Sequence, residues 1–151
     1  MTIDQTHILF YFLSFSPGPF WLILVFFPQN KWPMLAFDIY LLLLSFLFTA
    51  LALPQVPQLA PIIASPTFEA INNFLGSPQG TLGSWNHMIL GDLWIGRWVV
   101  HDAINSRVPL LMRLPFIGLI LFFGPLGLFF YLCYRIIFLK RFLLLSTETM
   151  Q

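Results

Sequence analysis

Trp85, His87, Asp92, Arg97, Trp98, His101 and Asp102 crowd a single apolar stretch of the chain. An ionisable group in hydrocarbon costs about 2.5–3.5 kcal/mol on insertion scales, so such groups persist where they are paired or used. On a helix turning roughly 100° per residue, Trp94, Trp98 and His101 fall within about 40° of His87, with Arg97 and Asp102 on the flanks of that stripe. Asp92 lies about 140° away, on the side of Trp85 and Gly96. Two polar surfaces on one helix require neighbours on several sides. The chemistry open to this set is proton transfer. Asp92, nearest the centre of the stretch, has two readings: a general base, or a structural partner and counter-ion of Arg97.

His87 and His101 are separated by about 21 Å of helical rise, the spacing of a helix that holds a haem near each membrane face. Such a site needs two facing histidines on another helix, and the chain offers only His7. A haem- or quinone-binding protein using His7 and His87, with one haem or metal between them, is the lesser alternative, and an interfacial structural histidine is the plainer reading. No metal motif, phosphate-binding glycine loop or serine nucleophile elbow is present, and no metal is expected. Cys133, the lone cysteine, excludes an internal disulfide and reads as a buried thiol. Aromatic residues make up 18% of the chain. Most are accounted for by lipid-facing and interfacial positions. The sharper alternative is a groove for a long conjugated or isoprenoid ligand, with Trp85, Trp94 and Trp98 as flat walls and Gly124 and Gly127 as small ones.

The elements that must position these residues follow from composition. Of 151 residues, 58% are hydrophobic and only 9% charged, with a mean hydropathy of +0.83. A soluble domain carries roughly a quarter charged residues. The expectation is an all-α integral membrane protein, a single domain built as a bundle of about four transmembrane helices with a short interfacial helix. A hydrocarbon core of about 30 Å needs about 20 helical residues. Spans are expected over residues 7–27, 34–53, 82–104 and 114–139. The first is interrupted by Ser16-Pro17-Gly18-Pro19, and the last is kinked at Pro125, where Gly124 and Gly127 give room for close helix approach. Five prolines between 54 and 80 argue against a continuous span there. Ser65-Pro66 reads as a helix start, with Phe68, Ile71 and Leu75 on one face and Gly76 as the stop: an amphipathic helix at the interface.

Net charge is +1 and no basic stripe exists, so nucleic acid is not an expected partner. Residues 1–6 hold Asp4 and no Lys or Arg, which is not the start of a secretory signal, and no transit-like segment precedes the first span. With four spans the cations divide evenly: Lys31, Arg107 and Arg113 on one side, Arg135, Lys140 and Arg141 on the other. The positive-inside rule then gives no orientation.

The segment Ser84 to Asp102, with Trp85-Asn86-His87, Asp92-Leu93-Trp94, Arg97 and Asp102, read together with Phe123-Gly124-Pro125-Leu126-Gly127, resembles the abscisic-acid-deficient-four family of membrane proteins. Pro19-Phe20-Trp21 with Phe27-Pro28 and Lys31 is similar to that family's first hairpin. The resemblance implies a role in xanthophyll metabolism, since plant members are required for converting the epoxide violaxanthin into the allenic neoxanthin. If the role is catalytic, the step is an isomerisation without redox change: a base removes a ring-adjacent proton while an acid protonates the epoxide oxygen. The resemblance then implies Asp92 or His87 as base, His101 or Asp102 as acid, and Arg97 as the stabiliser of developing oxyanion charge. It also implies bound carotenoid and a thylakoid membrane or the plasma membrane of a photosynthetic bacterium. The alternative is a non-catalytic pigment-binding or assembly subunit of a photosynthetic complex. A homodimer through Gly124 and Gly127 is a further expectation.

Overall fold

The computed structural model describes residues 3–142 and is helical almost throughout, with no strand among the described residues. Three helical stretches are long and apolar enough to cross a membrane: Ile3–Phe26, Lys31–Ala64 and Leu110–Ile137. The chain divides into two compact units, one ending at Trp94 and the other beginning at Ile95.

The first unit opens with α1 (Ile3–Phe15) and α2 (Gly18–Phe26). The break falls at the expected prolines, where missing backbone donors end one helix and Pro19 sits in the first turn of the next. Ser16 and Tyr40 share a 2.6 Å hydrogen bond between hydroxyls. Phe20 stacks on the Tyr40 ring at 3.8 Å, so this interruption is braced against α3 (Lys31–Ala52) and is not a frayed end.

Beyond α3 the helical path continues further than the prolines suggested, through a 3₁₀ turn (Leu53–Gln55) into α4 (Val56–Ala64). Pro54 and Pro57 occupy the first positions of these short elements, where no N–H is needed, and only Pro61 sits inside α4. The helix of the next segment is α5 (Phe68–Leu75), stopped at Gly76 as expected. Its cap is Thr67, not Ser65: the Thr67 hydroxyl accepts from Ala70 N–H at 3.2 Å.

Ser77 then caps α6 (Pro78–Asn105), its hydroxyl accepting from Gly80 N–H at 3.0 Å, with Pro78 as the first helical residue. Any side chain at Gly80 would run into the Phe74 carbonyl group, so the α5–α6 corner depends on glycine there.

In the second unit, α7 (Leu110–Ile137) has the length and apolarity of a span, but it is not straight. Phe123 leaves helical geometry (φ −145°, ψ 57°), and the chain reverses. Tyr134 Oη donates to Met112 Sδ at 3.8 Å. Phe116 packs on both Tyr131 and Tyr134, each pair 5.4 Å apart at the ring centroids. In a straight helix these partners would stand about 22–33 Å apart. The two halves of α7 therefore lie side by side, antiparallel. Gly127 sits at their closest approach, where an added Cβ would meet the Ile120 backbone nitrogen, Cα and side chain.

Gly127→Ala is expected to force the halves apart at a cost of about 1–3 kcal/mol, read as a lower melting temperature in detergent. Gly118→Ala is its control. A Cβ there meets nothing within 4 Å.

The exposed faces of both units are apolar, among them Phe46 (72% exposed), Leu111 (79%) and Phe122 (76%). Continuous apolar surface of this kind is normally covered, here most simply by lipid.

Candidate functional site

The amino-terminal half of α6 is tied into the first unit by its tryptophan motif. Trp85 Nε1 donates to Ser14 Oγ at 3.0 Å, and Ser14 Oγ in turn donates to the Phe10 carbonyl at 2.8 Å. The Trp85 and Phe10 rings lie 5.5 Å apart. Asn86 is fully buried, its Nδ2 donating to the Leu44 carbonyl of α3 at 3.1 Å. Both residues hold α6 against α1 and α3, so Trp85 has a positioning role in this geometry.

His87, next along, faces the other way. Its ring lies 5.6 Å from Phe48 and borders a cavity of about 470 Å³. Phe48 and Ala52 of α3, Leu59 of α4 and Phe74 of α5 form apolar walls, while Gly80 and Gly83 leave the α6 wall flat. Gln55, Gln79, Ser84 and His87 also border it, although its accessible wall is almost wholly apolar, and His87 is the one titratable side chain among the described residues that line it. Gln55 Nε2 is committed to the Leu51 carbonyl at 2.7 Å, which leaves its side-chain oxygen as acceptor. A mostly apolar cavity of a few hundred Å³ is the form of a small-molecule site.

Of the other expected site residues, Asp92 is half-buried in the first unit and does not line this cavity, and Trp94 is 63% exposed. The second unit holds the rest. Arg97 is half-buried, and His101 is exposed, its Nδ1 3.2 Å from Asn105 Nδ2. Trp98 meets the buried Tyr131 ring edge-on at 5.9 Å.

Asp102 sits in a compact ionic cluster. Arg135 Nε donates to Asp102 Oδ2 at 2.9 Å, Arg135 Nη2 to Oδ1 at 3.4 Å, and Tyr131 Oη to Oδ2 at 2.5 Å. Arg135 is 3% exposed and also donates to the Arg141 carbonyl at 3.2 Å. This two-pronged geometry fixes the end of α6 to the returning half of α7. It leaves Asp102 with every strong partner already assigned.

Gly124 and Gly127 are buried within the chain, with Gly127 serving the reversal of α7 itself. No group of three or more His, Cys, Asp or Glu suited to a metal ion occurs among the described residues.

The sequence stripe missed Tyr131 and Arg135, whose signal was an isolated cation at the end of an apolar run. It also missed Gln55, Gln79 and Ser84, which no motif distinguishes from ordinary polar residues near a helix end.

Against known proteins, a family model described as ABA4-like: ABA DEFICIENT 4-like matches residues 8–131. No curated protein and no solved structure matches the chain.

Proposed function

The chain belongs to the ABA DEFICIENT 4-like family, and from that premise we propose that it is an integral membrane protein of xanthophyll metabolism that takes the oxygenated end ring of a carotenoid into the cavity beside His87. The observation that carries this reading is the cavity itself: an almost wholly apolar wall for a hydrocarbon ring, flat glycine surfaces at Gly80 and Gly83, and His87 at its border. The polyene tail of such a substrate continues into the bilayer along the apolar faces of the helices. Helices α4 and α5, both short and α5 polar at Glu69, Asn72 and Asn73, lie at the membrane interface in this reading and border the cavity, while α6 crosses the bilayer as a further span.

For epoxide-to-allene isomerisation, the ring-adjacent proton must leave and the epoxide oxygen must gain one. His87 can do both in turn. Its neutral imidazole accepts the proton, and the resulting imidazolium donates to the oxygen. Gln79 and Ser84 then steady the developing alkoxide by hydrogen bonding. Asp92, Arg97, His101 and Asp102 support the helix and its surroundings in this scheme and make no contact with the reacting ring.

A second reading has its own support. Isomerisation is simplest with separate acid and base, yet a single titratable group borders the cavity. That favours a protein that binds and presents a xanthophyll to an enzyme partner or a photosynthetic complex.

His87→Gln separates the two. The amide keeps a hydrogen bond and removes proton transfer, which is worth about 10²–10⁴-fold in rate. For a catalyst, the purified variant still shows the three-banded blue absorption of carotenoid, while the host accumulates epoxide and lacks allene. For a presenting protein, the pigment profile stays unchanged.

A further inference from the structure

The reversal of α7 changes where its charges stand. Pairing of Trp98 with Tyr131, Asp102 with Arg135 and Ser106 with Arg141 runs the end of α6 parallel to the returning half of α7. The start of α7 lies beside that half's end through Met112 and Tyr134. Arg107, Arg113, Arg135, Lys140 and Arg141 thus collect at one end of the second unit, with Asp102 the carboxylate among them.

Each half of α7 is about 20 Å long, against a hydrocarbon core of about 30 Å. At the tip, one residue leaves helical geometry, Gly124 is buried, and Pro125 has no N–H to leave unpaired. A turn of this kind is tolerable at membrane depth, where longer irregular backbone is not.

The opposite end is basic, and two of its cations stand at backbone positions that usually go to glycine. Arg107 (φ 57°) and Lys140 (φ 52°) hold the left-handed conformation that favours glycine, yet both positions carry cations. At Arg107 the reason for the conformation is clear: Val108 N–H bonds the Ala103 carbonyl and Arg107 N–H the Ile104 carbonyl, a helix stop in which the left-handed position is usually Gly. Arg113, half-buried, stands at the same end.

We propose that α7 is a re-entrant hairpin that enters and leaves the bilayer through one face, and that its basic end docks on the phosphate-bearing headgroups of anionic lipid in that leaflet. By the positive-inside rule that leaflet is the cytoplasmic one, or its topological equivalent.

Two measurements test this. In a Cys133→Ala background, Pro109→Cys and Phe142→Cys are probed with a membrane-impermeant maleimide in sealed vesicles of both orientations. Both sites react from the cytoplasmic face alone. Labelling from opposite faces, as a single crossing of α7 requires, overturns the hairpin, and labelling of both from the outer face overturns the orientation.

The second arm reconstitutes the protein in phosphatidylcholine and titrates in phosphatidylglycerol, following the melting temperature. Stabilisation saturates with phosphatidylglycerol and is not reproduced by inorganic phosphate. The triple variant Arg107→Gln/Arg113→Gln/Lys140→Gln needs at least roughly tenfold more anionic lipid for the same effect. Equal stability in the two lipids, an unchanged titration of the variant, or reproduction by free phosphate overturns the headgroup assignment.

Discussion

Asp102→Ala is expected to remove about 3–5 kcal/mol of stability, the usual consequence of leaving a buried charge without its partner. Arg135 is 3% exposed and spends Nε and Nη2 on this carboxylate. Tyr131, fully buried, loses its acceptor at the same time. Nothing else described around Arg135 carries a negative charge; the Arg141 carbonyl is its remaining acceptor. Domains are stable by about 5–15 kcal/mol, so the variant should accumulate poorly and melt far below the parent.

Removing both charges is the informative companion. Asp102→Leu/Arg135→Met replaces the pair with apolar groups, which in other proteins is often neutral or better, and most of the lost stability should return. A single variant that melts like the parent would show that the cluster contributes little. If the stable double variant also keeps its pigment profile, Asp102 is structural. If it is stable but inactive, Asp102 belongs to the chemistry as an acid.

The second large effect is functional. Gly83→Leu should abolish pigment binding and conversion, by tenfold or more, without harming the fold. A Cβ at Gly83 meets nothing within 4 Å, and the residue borders the cavity beside His87. Leucine fits the helix better than glycine by about 1 kcal/mol, so the melting temperature should hold or rise while the chamber fills. Gly91→Leu supplies the control. It stands on the same helix, also in open space, but away from the cavity. Retained carotenoid absorption in Gly83→Leu would place the pigment elsewhere, whatever the fate of His87→Gln.

Local grammar in the sequence carried a good part of this architecture. Ser16-Pro17-Gly18-Pro19 breaks the first helix because two prolines withdraw donors, and Gly76 ends α5 where the apolar face ends. The polar stripe was harder. In water, a helix buries its apolar face, so periodicity names the inner side; in lipid both sides are apolar and that contrast disappears. The buried residues of α6 include Leu82, Asn86, Leu93, Gly96, Val100 and Ala103, while His87, Trp94 and His101 are exposed. Small residues such as Gly96 and Ala103 are the better guide to helix contact in a membrane. Phe123-Gly124-Pro125 announced a bend in α7, but proline and glycine specify where a helix yields and not by how much. The reversal is set by partners far along the chain: Phe116 with Tyr131 and Tyr134, and Gly127 with Ile120.

That reversal bears on how the chain is made. Neither half of α7 is long enough to be handed to the bilayer as an independent unit during synthesis, and the aromatic pairs that join them form only after Tyr134 has left the ribosome. In the proposed re-entrant arrangement, the first half therefore waits for the second, and both enter the bilayer as one packed piece. A chain interrupted between Phe122 and Tyr131 would then be left with a half-length apolar stub, the kind of fragment that membrane quality control removes.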